Sequence, residues 1–215
     1  MEDVPGIILS YPTVVGQIVN LPIKNYSQNG SSQPDMIQKL LNADINDGDI
    51  AIFSMTAQSR QFYYNDSGKP INVATAEEMS LLPTVNDYNG VWQSAQTCFV
   101  LYNICQQKNV IPCFLNTFNI SYHKEYHHKL WELLPDDVWI MPKDHCVIEE
   151  FDTEYFGKFD EYRNSDFWEW LQTNNKQVQY YIRPYANHPH VNGRKKIAEI
   201  ISDYLRRVIL PRVKS

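Results

Sequence analysis

Two continuous apolar runs set the strongest limit on what this chain can fold into. Ile50-Ala51-Ile52-Phe53-Ser54-Met55 and Val110-Ile111-Pro112-Cys113-Phe114-Leu115 both have the length of a strand. Neither alternates cleanly between apolar and polar residues. A strand apolar at nearly every position has both faces covered, which is the habit of parallel strands lying between helices. A helical pattern over 88–107 separates the two runs, long enough for a parallel crossover.

The rest of the chain follows the same alternation. Gly6-Ile7-Ile8-Leu9 is a short apolar run, and Ser10-Tyr11-Pro12 then opens a helix with Val14, Val15, Ile18 and Val19 on its inner face. A short strand is expected at Pro22–Tyr26. A second helix starts near Ser32, where Ser32-Gln33-Pro34-Asp35 fits a capping box and Met36, Ile37, Leu40 and Leu41 face inward. Asn46-Asp47-Gly48-Asp49 is a turn, and 60–74 reads as an excursion rich in Tyr, Gly and Pro. Further helical patterns lie at 76–82 and 124–134, with an apolar strand at Val138-Trp139-Ile140. The segment 142–178 is aromatic and acidic. Its Tyr155, Phe156, Phe159, Phe167, Trp168 and Trp170 suit a core edge, with a sugar-binding surface as the alternative. A loop through His188-Pro189-His190 leads to a last helix over 192–207, with Ile197, Ile200, Ile201, Tyr204 and Leu205 inward. The expectation is one domain over residues 1–215, a three-layer α/β/α sandwich with a mostly parallel, doubly wound sheet.

Composition narrows the partners. The net charge of −6 disfavours a nucleic-acid backbone. The basic groups Arg194-Lys195-Lys196 and Arg206-Arg207 read as solvated helix faces and as a match to the helix dipole. Cys98, Cys105, Cys113 and Cys146 form no C-x-x-C pair, so they read as reduced, buried thiols in a cytoplasm-like compartment. No apolar run approaches the roughly 18 residues of a membrane span, and the first residues, with Glu2 and Asp3, lack the basic start of a signal peptide. A cytoplasmic location is expected, with a virion as the alternative. No metal or cofactor is implied. His123 and His127 are four apart but read as a polar helix face. The side chains of adjacent His145 and Cys146 are expected to diverge, which argues against a dyad.

In an open parallel sheet, ligands bind at the carboxyl ends of the strands, so the loops after 26, 55 and 116 and near 188 are the ones to search. Three of these carry similar motifs. Asn25-Tyr26-Ser27-Gln28-Asn29-Gly30-Ser31-Ser32 is similar to the second block of the SGNH (GDSL-type) hydrolases. Ile50 to Arg60 resembles the third block, with Thr56 in the place of its polar residue. His188-Pro189-His190-Val191-Asn192-Gly193, followed by an amphipathic helix, resembles the last block, with Gly five residues past the His. The resemblance spans the chain, and its short motifs fall in the family order. It implies hydrolysis of an ester, of an acyl or acetyl group on a small molecule or carbohydrate. It makes His188 the general base, with the Gly30 N–H and the Thr56 side chain as oxyanion donors.

The sequence also departs from that family. The family's nucleophile stands in a Gly-Asp-Ser motif upstream of the first helix, and no serine precedes Ser10. The Asp that would orient the His is replaced by Tyr185 and Ala186 at its two usual spacings, and Gly-x-Asn is not kept. Three accounts stay open. The first strand and its serine lie upstream of Met1, or residues 4–9 supply a shortened strand in a non-catalytic relative, or Ser10 itself is the nucleophile at a strand-to-helix turn. Ser10 reads more simply as a helix cap, as does Ser32, and Ser31 has no Gly-x-Ser-x-Gly around it. A non-catalytic binding or structural protein, a phage-associated one for example, is the competing class. Substrate and oligomeric state are not specified by the sequence.

Overall fold

The structure is a computed structural model. It describes residues 10–27, 32–55, 61–64, 70–73, 87–117, 129–143, 145–147, 182–183, 188–189 and 191–213. In chain order the elements are α1 (Tyr11–Val19), α2 (Gln33–Asn42), β1 (Ile50–Met55), β2 (Gln61–Tyr64), β3 (Pro70–Val73), α3 (Asp87–Gln107), β4 (Ile111–Asn116), α4 (Lys129–Glu132), a 3-10 turn (Asp136–Val138), β5 (Ile182–Arg183), β6 (His188–Pro189), α5 (Val191–Tyr204), a π turn (Leu205–Ile209) and α6 (Leu210–Val213). They form two compact units: Tyr26–Val147, and Met1–Asn25 together with Ile148–Ser215.

In the Tyr26–Val147 unit, β1 and β4 pair in parallel over their full lengths, from Ile50 opposite Ile111 to Met55 opposite Asn116. Partners in such a register share a face. Phe53 therefore stacks on Phe114, with ring centroids 5.3 Å apart. Trp139 lies against Phe114 at 5.3 Å, and Trp131 stacks on Trp139 at 4.9 Å. Beneath this ladder pack Leu40 of α2 and Ala95, Cys98, Leu101 and Cys105 of α3. Spacings of three and four residues put that set on one stripe of α3. On the other face of β4, Cys113 and Leu115 are fully buried. β4 is thus covered on both sides, as its unbroken apolar sequence demands.

The ends of the helices are set by local chemistry. Ser32 Oγ accepts the Asp35 N–H at 3.4 Å and caps α2, while the Asp35 carboxylate reaches forward to Lys39 at 2.7 Å. At the other end of α3, Asn109 takes a left-handed conformation with φ 54°. The Val110 N–H returns to the Cys105 carbonyl at 2.8 Å and the Asn109 N–H to Gln106 at 3.2 Å. This is a Schellman ending, with Asn where Gly is commonest. Gly48, at φ 81°, makes the turn into β1.

Three local expectations need correction. Pro22–Tyr26 forms no regular strand: residues 21–27 run exposed, and Pro22 has no N–H to give to a ladder. Val138–Ile140 is a 3-10 turn followed by a single parallel bridge from Trp139 to Phe114, with the Ile140 N–H on the Phe114 carbonyl at 2.9 Å. Pro135 and Pro142 bracket that stretch, leaving little room for a longer ladder. Leu41 is half exposed at the end of α2 rather than inward. The excursion at 60–74 contains an antiparallel hairpin, with Gln61 opposite Val73 and Tyr64 opposite Pro70. The expected helix over 76–82 lies outside the described residues.

In the second unit, α1 packs on α5. Val15 and Gly16 are buried on α1, and Ile197, Ala198, Ile201, Tyr204 and Leu205 on α5 and the turn after it. Gly16 is required by close approach. A Cβ there would lie 2.5 Å from Ile23 Cγ1 and 3.0 Å from the Leu21 carbonyl. The Gly16 carbonyl accepts the N–H groups of Asn20, itself left-handed, and of Leu21, which closes α1.

Candidate active site

The carboxyl ends of β1 and β4 lie side by side, with Met55 opposite Asn116. One residue beyond, the Thr117 N–H and hydroxyl both turn to the Met55 carbonyl. Asn116 is 2% exposed. Its Nδ2 donates to the Lys143 carbonyl at 3.0 Å, while its Oδ1 has no hydrogen-bond partner among the described residues. A buried amide oxygen left without a donor is costly, about 1–3 kcal/mol. Lys143 is held in turn by the Leu134 carbonyl and the Asp136 carboxylate, each 2.8 Å from Nζ. This lysine links the 3-10 turn to the segment after it, whose backbone carbonyl at Lys143 meets Asn116. Neither Asn116 nor Lys143 stands among the residues expected from sequence. The signal was there, since Asn116-Thr117 follows an apolar strand in the way that Thr56 follows Met55.

The expected site residues fare differently. Gly30 and Thr56 lie outside the described residues, as do Ser31, His123 and His127. His188 belongs to β6, its backbone opposite Arg183, and α5 starts at Val191, with Gly193 buried in its first turn. Ser10 stands at the N-cap of α1. Its carbonyl accepts the Val14 N–H at 3.2 Å and its hydroxyl lies 3.0 Å from the Thr13 hydroxyl. Ser32 is buried at the N-cap of α2. His145 is exposed and Cys146 buried.

All four cysteines are free thiols and buried. Burial pushes the Cys98 thiol well above its ordinary range and holds Cys105 at about 12, the nearby Lys108 charge only partly opposing it. Thiols held protonated in this way are poor nucleophiles. Cys98 Sγ lies 3.7 Å from Met55 Sδ, a contact within the core. No group of three or more metal-ligating side chains occurs among the described residues. No helix among them is long and apolar enough to cross a membrane.

No family model, no curated protein and no solved structure matches the chain.

Proposed function

We propose that this chain is an ester hydrolase of the SGNH type. It would act on an acyl or acetyl group of a small molecule or carbohydrate, with His188 as general base and Gly30 and Thr56 as oxyanion donors. The observation that best supports this reading is the parallel, in-register pairing of β1 with β4. It brings two strand ends to one edge, where α/β proteins bind ligands, and Thr56 is the next residue of the chain after Met55. The start of α5 just after His188 fits the last block of the family.

The chemistry asks His188 to take a proton from a serine hydroxyl as it attacks the ester carbonyl, and to return it to the leaving alcohol. The oxyanion that develops would be held by the Gly30 N–H and the Thr56 hydroxyl. The test is turnover of short-chain p-nitrophenyl esters, compared with His188→Ala, and labelling by a fluorophosphonate with the modified serine located by mass spectrometry. Turnover that falls at least a hundredfold in His188→Ala, with one serine labelled, is expected. Turnover that is unchanged in the variant would overturn the role of His188.

A second reading is a non-catalytic protein with an SGNH-like fold, used for binding or assembly. What favours it is local: the Ser32 hydroxyl is taken up capping α2, the Ser10 hydroxyl lies against that of Thr13, and Tyr185 and Ala186 stand where the orienting Asp belongs. Absence of both turnover and labelling would select this reading.

A further inference from the structure

We draw no further inference here: the strongest candidate, the buried Asn116 carboxamide at the carboxyl end of β4, lies at the edge of the site already described, and nothing among the described residues indicates what group meets its unpartnered oxygen.

Discussion

Asn109 fastens the amino ends of β1 and β4 to each other through Asp47. Its side-chain amide donates to the Asp47 carboxylate, and its carbonyl accepts the Gly48 N–H at 2.8 Å. The same residue supplies the left-handed step that ends α3. One asparagine therefore stops a helix, starts a strand and grips the turn before its neighbour.

This double use predicts an order of stabilities. Asn109→Gly keeps the left-handed step easy and loses only an exposed side-chain bond, so it should cost about 0.5–1 kcal/mol. Asn109→Ala loses the bond and also bears the left-handed penalty, which adds about 1–2 kcal/mol. Urea unfolding midpoints should fall in the order wild type, Gly, Ala. An alanine variant as stable as the glycine variant would show that the backbone conformation is not held.

Phe114 is the ring through which Phe53 and Trp139 touch the same core, and Trp131 extends the stack. Phe114→Ala should cost about 3–5 kcal/mol, as for other fully buried rings. Tryptophan emission should shift to the red as Trp139 loses its cover. Phe114→Leu should recover most of the stability, because it refills much of the volume. A wild-type midpoint in Phe114→Ala would mean that the stack carries no weight.

The run ending at Leu115 was legible because an unbroken apolar stretch has few ways to hide both faces, and Ile50–Met55 because its inner face carries Phe53 and Met55, while Ile50, Ile52 and Ser54 opposite stay half-buried. Ser32 was legible as a cap because its chemistry is local. What escaped depended on partners far away in the sequence. Gln61–Tyr64 and Pro70–Val73 each look irregular alone, and only their mutual pairing makes a hairpin. Its five-residue connection includes Gly68, a hairpin signal. Pro70 disguised it, although proline is tolerated at the first residue of a strand. Pro22–Tyr26 misled in the opposite sense, since extended propensity without a ladder leaves a chain in the open. The site was the least legible part. Asn116 and Lys143 meet through a side-chain amide and a backbone carbonyl 27 residues apart, and a carbonyl's position leaves no mark in the sequence.

Gly16→Ala tests the closing turn of α1. On propensity alone alanine should stabilise a helix interior by up to about 1 kcal/mol relative to glycine. Here the new methyl group meets Ile23 and the Leu21 carbonyl. Ile23 is 41% exposed and can swing away, but the carbonyl belongs to the turn and cannot. The variant should therefore lose about 1 kcal/mol or more. Adding Ile23→Ala should restore part of that loss, so the two changes should not be additive. A Gly16→Ala protein more stable than wild type would contradict the close approach.

The buried thiols predict how stability depends on alkaline pH. Burial pushes the Cys105 thiol up to about 12 and raises Cys98 in the same direction. In the unfolded chain both would ionise near the ordinary thiol value of about 8.5. Above that value the unfolded state binds fewer protons than the folded one, so the free energy of unfolding falls as pH rises. The stabilisation is complete below the unfolded value and is lost progressively toward the folded one. Tyrosine and lysine also titrate in this range, so the informative quantity is a difference. Stability measured from pH 7.5 to 10.5 should fall more steeply for wild type than for Cys98→Ala/Cys105→Ala. The slopes should separate by up to about 1.4 kcal/mol per pH unit for each thiol. Native protein should also resist modification by a thiol reagent at pH 8 and react fully once unfolded. Parallel slopes, or rapid labelling of the folded protein, would place these sulfurs outside the core.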